Sequence, residues 1–431
     1  MPLVGGLNSP QLSAVDLDAD GILDLHVFDR SGNKQLTFIN EGIAGQSSYR
    51  FAPEYLEGFP QVINWMLLRD FNEDGVMDLF SFPNLQLNGI VAYKGSIRDG
   101  KIHFDLIEFD RPLNVIYFSP SSGNDLPIFI SNIDYPAIDD MDCDGDLDIL
   151  TFNSTGGYIE LYENQSIERG FGKDTLLFNL QERCWGGLFE SGNSNQVDLS
   201  AGPNDCFSPE FTSTPVEVRH TGSTLLTFDA DGDGDRELIL GDVSFDALNY
   251  LTNEGDCGTA WMGTQDPAFP SDDQSVDLAV FPAAFYLDIN NDGVEEIMVA
   301  PNVDAGGESK EVLWQYSRGV GEGSGDFGLV RKDWLVSDMV DLGENSYPCF
   351  VDLNQDNVMD IVVGNGTFYE PLGAKNARVF YFENTGTNDL PVFELREQDL
   401  FSLNQFSQAA TDFSPTFGDL DGDNDLDALI G

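Results

Sequence analysis

Basic residues are scarce in this chain. Lys and Arg together number 20 against 75 Asp and Glu, a formal net charge of −55. A surface of that sign repels phosphate, so nucleic acid and anionic membranes are excluded as partners; phosphate recognition needs basic patches. There are 3 histidines, and none sits in HExxH. No G-x-S-x-G and no P-loop occurs, and Gly319–Gly325 lacks the spacing of a dinucleotide fingerprint. His26 and His103 read as strand residues, and His220 falls in a loop. No apolar run approaches a membrane helix, so no membrane insertion is expected. The opening Met-Pro-Leu-Val-Gly-Gly-Leu-Asn has no basic start and too short an apolar stretch for a signal peptide. Cysteines number 5, without CxxC spacing. Cys184 and Cys206 bracket one insertion and could pair, while the odd count leaves a thiol over. Disorder is disfavoured, because 41% hydrophobic residues and 32 Phe suffice for a large core.

Acidic residues are abundant, and their placement is periodic. Asp140-Met-Asp142-Cys-Asp144-Gly145-Asp-Leu-Asp148-Ile149 has carboxylates at positions 1, 3, 5 and 9 and glycine at 6. That spacing suits a hard cation such as Ca²⁺: oxygen ligands gather on a chain that doubles back, and glycine permits the turn. The pattern occurs seven times. The candidate ligands are Asp16, Asp18, Asp20 and Asp24 in the first copy; Asp70, Asn72, Asp74 and Asp78 in the second; and Asp140, Asp142, Asp144 and Asp148 in the third. The fourth offers Asp229, Asp231, Asp233 and Glu237, and the fifth Asp288, Asn290, Asp292 and Glu296. Asp352, Asn354, Asp356 and Asp360 form the sixth, and Asp419, Asp421, Asp423 and Asp427 the seventh. Up to seven Ca²⁺ ions are expected, which would leave the protein still strongly acidic. An EF-hand is disfavoured, because position 12 never carries the closing acid: it is Val27, Ser81, Thr151, Leu240, Val299, Val363 and Ile430. The acid at position 9 must close the site instead.

The flanks read as β-structure. Short runs such as Ile149-Leu-Thr and Ile361-Val-Val follow the loops, and strands such as Leu225–Phe228 and Ala284–Leu287 lead into them. Pro136, Pro348 and Pro415 stand at strand entrances, where a missing N–H is harmless. A third strand carries an aromatic and then Asn, at Phe38/Asn40, Tyr162/Asn164, Tyr250/Asn253 and Phe382/Asn384. A fourth alternates, as in Lys101–Ile107, Thr175–Leu180 and Leu390–Leu395. Four antiparallel strands repeated radially make the blades of a β-propeller, an all-β fold. Three stretches, about 111–134, 183–222 and 252–280, are rich in Gly, Ser, Asn and Pro and read as surface-loop insertions late in their repeats. Trp185 and Trp261 sit in two of them, and packing onto a blade is favoured over an exposed platform.

The cation loops and strand pattern, with Ser414-Pro-Thr-Phe-Gly-Asp-Leu-Asp-Gly-Asp, resemble the FG-GAP/VCBS repeat family, whose best-known propeller is the integrin α-subunit head. Gly6-Leu-Asn-Ser-Pro and Val27-Phe-Asp-Arg-Ser-Gly also resemble secreted bacterial proteins carrying such repeats. The resemblance implies one seven-bladed propeller domain over 1–431, with Ca²⁺ loops on one face and recognition loops on the other. The seventh copy supplies only a strand on each side of its loop, so the last blade is expected to be incomplete. The function so implied is an extracellular or cell-surface, calcium-stabilised, non-catalytic binding or adhesion module. Its partner would be a glycan or a protein held on the face opposite the cation loops, and its export signal and further domains would lie beyond this sequence. The alternatives are the propeller of a secreted polysaccharide lyase or a structural spacer. The acid-rich chain offers too many carboxylate pairs to single out a catalytic one.

Overall fold

The computed structural model describes residues 5–84, 87–120, 123–154, 156–207, 222–278, 281–303, 309–319, 327–370 and 374–431. His220 and most of Gly319–Gly325 lie outside them. The fold is all-β, with helix confined to short 3₁₀ turns such as Pro53–Gly58 among the described residues. Each cation loop joins the first two strands of an antiparallel sheet. These first strands are Pro10–Val15, Ile63–Arg69, Ala137–Asp139, Ser223–Phe228, Pro282–Leu287, Tyr347–Val351 and Pro415–Gly418. Six of the sheets have four meandering strands or more, and the seventh pairs Pro415–Gly418 with Asp427–Ile430 alone.

The second strands explain their own composition. Asp24–Asp29, Asp148–Phe152, Glu237–Asp242 and Glu296–Pro301 are buried along their whole length. Their apolar residues alternate between faces that are each covered by a neighbouring sheet. Leu150 and Phe152 of the third sheet share one core with Leu225, Leu238, Leu240 and Leu251 of the fourth. Ile239 and Leu226, facing the other way, pack with Ile297, Val299, Trp314 and Tyr316 of the fifth. Burying each such side chain is worth about 1.5–3 kcal/mol.

The contacts divide the chain into two compact units. The larger comprises Asn8–Ala305 and Val312–Trp334 and holds the first five sheets. Their first strands line one cavity of about 130 Å³, with Ser13, Leu67, Ala137, Leu226 and Phe285 among its walls. The first sheet is hydrogen-bonded to the fifth: Gln46 N donates to Asn290 O at 3.0 Å and Tyr49 Oη to Ile289 O at 3.2 Å. The smaller unit contains Leu335–Gly431 with the sixth and seventh sheets. It has its own core of Val351, Val362, Ala377, Val379, Leu400 and Phe413.

Two sequence expectations about the insertions are corrected. In 111–134, Tyr117–Phe118 and Leu126–Pro127 add two short strands to the outer edge of the third sheet. In 252–280, Met262–Phe269 is the fourth strand of the fourth sheet, concealed in the sequence by its internal Gly, Asp and Pro. The described part of 183–222 folds inward, where Trp185, Leu188 and Val197 join the core shared by sheets three and four. Fourth strands also start later than alternation predicts, at Phe178 and Phe393. The preceding residues serve a turn: Leu177 N donates to Asn164 Oδ1 and Val392 N to Asn384 Oδ1, both at 3.0 Å.

Candidate metal centres

One backbone design recurs in all seven loops. The position-1 carboxylate accepts the position-6 N–H, as at Asp16–Gly21 (3.0 Å), Asp288–Gly293 (2.9 Å) and Asp352–Asn357 (2.9 Å). The position-5 carboxylate accepts the position-7 N–H, as at Asp20–Ile22 (2.8 Å), Asp74–Val76 (3.0 Å), Asp233–Asp235 (3.0 Å) and Asp356–Val358 (2.7 Å). Asp292 and Asp423 do the same with Val294 and Asp425. Position 6 is left-handed throughout, with φ from 81° to 99° at its five glycines and 70° and 72° at Asn357 and Asn424. Asn tolerates this conformation better than other side-chain-bearing residues, so the loops survive loss of glycine. Position 4 is left-handed as well, even at Ala19, Glu73, Cys143 and Gln355, which the sequence pattern did not signal.

The position-9 acid ties each loop to its sheet. One oxygen accepts the position-2 N–H: Leu17 to Asp24 at 2.9 Å, Phe71 to Asp78 at 3.0 Å, Met141 to Asp148 at 3.0 Å and Ala230 to Glu237 at 2.7 Å. Ile289 to Glu296, Leu353 to Asp360 and Leu420 to Asp427 repeat it at 3.1, 3.1 and 2.8 Å. In three repeats whose third strand ends in Asn, the other oxygen takes its N–H: Asn40 to Asp24 at 2.7 Å, Asn164 to Asp148 at 2.8 Å and Asn384 to Asp360 at 2.9 Å. The sequence marked these asparagines only as a pattern. Their side chains hold the turn to the fourth strand, Asn253 Oδ1 accepting from Gly255 N at 3.0 Å and Trp261 N at 2.9 Å.

Carboxylates converge in four loops. Oxygens of Asp16, Asp18 and Asp24 lie within 4.8 Å of one another, as do those of Asp140, Asp142 and Asp148; of Asp229, Asp231 and Glu237; and of Asp419, Asp421 and Asp427. Position 5 joins none of these trios. In the remaining loops an amide stands at position 3 and donates to a carboxylate of its own loop: Asn72 to Asp74 and Asn354 to Asp356 at 3.0 Å, and Asn290 to Glu296 at 2.5 Å. Asp70, Asp78, Asp288 and Asp360 therefore occupy loops with one acid fewer.

Gathering like charges out of water disfavours ionisation. Burial, chiefly, pushes the carboxyl of Asp24 up to about 6, Asp78, Glu237 and Glu296 to about 7, and Asp148 to about 9. Burial and then the neighbouring Asp144 raise Asp142 to about 6. Asp18 Oδ1, Asp140 Oδ1 and Glu237 Oε1 are buried without a protein hydrogen-bond partner. Each belongs to one of the carboxylate trios, and an orphaned carboxylate oxygen in such a trio fits an oxygen-liganded cation.

The disulfides are Cys184–Cys206 and Cys143–Cys257, and Cys349 is free. The first matches the expected bracket. The second was not legible: Cys143 is position 4 of the third loop, with its Cα 5.8 Å from that of Cys257 in the fourth sheet's hairpin. His26 is a buried strand residue that bonds Gln35 at 3.2 Å and stacks on Phe59.

A groove of about 400 Å³ opens beside the fourth loop, between sheets four and five. Ala230 and Asp231 form its loop edge, Tyr250, Phe269 and Phe327 its aromatic wall, and Arg318 stands 4.7 Å over the Phe327 ring. Asp266 and Asp272 lie at its rim. Asp266 already accepts Ala268 N at 3.2 Å and Ser271 N at 2.8 Å.

The stretch from Asp352, which opens the sixth cation loop, to Ile430, which ends the last strand, matches one known family. Residues 352–430 match the FG-GAP-like repeat. The match lies within the smaller unit, and the first five sheets repeat the same loop-and-strand design outside it. No curated protein matches the chain. Among solved structures, a lectin of Agrocybe aegerita described as recognising non-reducing terminal N-acetylglucosamine aligns over 94% of this chain and 85% of its own, at 13% identity and a TM-score of 0.32. The Photorhabdus luminescens Tc holotoxin pore aligns over 95% of this chain at 12% identity and a TM-score of 0.35. This chain spans 16% of that one. Likeness at these scores transfers nothing to this chain. Among its described residues no helix is long and apolar enough to cross a membrane.

Proposed function

We propose that the protein is an extracellular, calcium-stabilised binding module for a saccharide, without catalytic activity. The calcium reading rests on four cation loops in which carboxylates from positions 1, 3 and 9 converge, three of them with an orphaned oxygen. Oxygen-only sites of this kind suit the millimolar calcium found outside cells. When bound, calcium would neutralise each cluster and fix the loop that joins two buried strands.

The groove at Tyr250 carries the binding reading. An aromatic wall offers a face to the apolar side of a sugar ring, while Asp231, Asp272 and Arg318 offer partners to its hydroxyls. On this reading the ligand would lie beside a cation loop, whereas the family resemblance implies the opposite face. A glycan array run with and without calcium tests the reading. Calcium-dependent binding that Tyr250→Ala abolishes supports it, and an array without signal in either condition contradicts it.

A further inference from the structure

The third repeat differs from the others in what surrounds its cation loop. Its connection between the strands Ile159–Asn164 and Phe178–Glu182 is longer than the corresponding connections after Asn40, Asn253 and Asn384. The added residues fold into a turn, with Gly170 N donating to Ile167 O at 3.0 Å and Phe171 N to Ser166 O at 2.9 Å. That turn presents Glu168. Its carboxylate lies within 4.8 Å of those of Asp142 and Asp144.

This second trio shares Asp142 with the loop's own trio of Asp140, Asp142 and Asp148. Among the described residues it is the one case in which a position-5 acid joins a three-carboxylate group. Asp144 Oδ1 is committed to Asp146 N at 2.9 Å, and its Oδ2 is buried without a partner.

The position-7 residue supplies an independent sign of a ligand. In four loops this position is Ile22, Val76, Val294 or Val358, but here it is Asp146, only 1% exposed. Its Oδ2 accepts Ser166 Oγ at 2.8 Å and Ile167 N at 3.3 Å, which anchors the turn that carries Glu168. Its Oδ1 is buried and has no hydrogen-bond partner. A buried carboxylate with an orphaned oxygen, packed against a trio of acids, is costly unless a cation completes it. Lys173 Nζ lies over Gly145 but is paired with Glu73 at 2.6 Å. Loop four also buries an acid at position 7, Asp235, whose Oδ1 is likewise without a hydrogen-bond partner, yet no carboxylate from its connection joins Asp231 and Asp233; what sets the third repeat apart is Glu168.

We propose that the third repeat binds two divalent cations bridged by Asp142: one inside the loop, and a second held by Asp142, Asp144 and Glu168 over the buried Asp146. The inference rests on the calcium reading of the loops and adds one ion to the count that the loops alone would give.

Native mass spectrometry of the full chain in saturating calcium chloride tests it, comparing wild type with Glu168→Gln and with Glu254→Gln, an acid in the equivalent connection of the fourth sheet. The expected result is one calcium fewer in Glu168→Gln and no change in Glu254→Gln. An unchanged count in Glu168→Gln overturns the proposal. That holds whether affinity is also unchanged or falls at one site, since the latter makes Glu168 an extra ligand of a single ion. Absence of bound calcium from the wild type as well would instead overturn the calcium reading itself, together with this extension of it.

Discussion

Cys143 and Cys257 join a cation loop to a neighbouring sheet: the residue between two candidate ligands, Asp142 and Asp144, is covalently tied to the third-to-fourth-strand hairpin of the fourth repeat. The bond spans 114 residues of sequence, against 22 for Cys184–Cys206. In a chain-entropy account the longer closure stabilises by roughly 4–5 kcal/mol and the shorter by about 3 kcal/mol. Cys257→Ser should therefore lower the melting temperature more than Cys206→Ser, and it should weaken calcium binding at one site. Equal melting temperatures for the two variants and the wild type would contradict this.

The asparagines that end the third strands are expected to matter as much as the acids. Asn384 is buried, gives its N–H to Asp360, and uses its side chain on Met359 O, Gly386 N and Val392 N. Asn384→Ala leaves those groups unpaired at about 1–3 kcal/mol of stability. Urea denaturation reads this directly, and an unchanged midpoint would show that the turn is held by other means.

Calcium affinity should fall into two classes. Loops with Asn72, Asn290 and Asn354 have one negative ligand fewer, and these amides already donate hydrogen bonds to neighbouring carboxylates. Calorimetric titration is expected to resolve a tighter set, from the four loops with converging trios, and a looser one. Asn354→Asp should move one site from the looser set to the tighter. A single class of sites in the wild type would remove the charge argument.

The buried position-9 acids set the pH dependence of the cation-free protein. Their folded-state values, about 6 for Asp24, about 7 for Asp78, Glu237 and Glu296 and about 9 for Asp148, exceed the ordinary values of 3.8 for Asp and 4.5 for Glu. The folded state therefore holds more protons than the unfolded one. The associated stability is fully present below about pH 4 and is lost as pH rises through about 6 to 9. In chelator, the melting temperature should fall between about pH 5 and pH 8. In saturating calcium that fall should vanish, and calcium binding near pH 7 should release protons. Flat melting temperatures in chelator would contradict the burial of these groups.

The loops and the strands beside them were legible because both signals are local. Carboxylate spacing fixes a turn, and runs such as Ile149-Leu-Thr read as strands with both faces covered. What joins distant parts of the chain was not legible. Nothing near Cys143 points to Cys257, and Met262–Phe269 is hidden as a strand by its internal Gly and Pro. Counting loops gives the number of repeats but not how many first strands share one cavity, because side-chain fit between neighbouring sheets sets that number. The recurring Asn after an aromatic was visible, yet its role appears only when Asp24, Asp148 or Asp360 is seen accepting its N–H.

The central claim is that calcium in the loops holds this fold together. If each loop binds with a dissociation constant of about 10⁻⁴ M, millimolar calcium stabilises it by roughly 1.4 kcal/mol, and seven loops by on the order of 10 kcal/mol. The most direct measurement is the thermal melt of the full chain at pH 7.5 in millimolar calcium and again in excess chelator. A drop on the order of 10 °C or more on chelation, restored by adding calcium back, is the predicted result. Superimposable melting curves in calcium and in chelator would contradict the account.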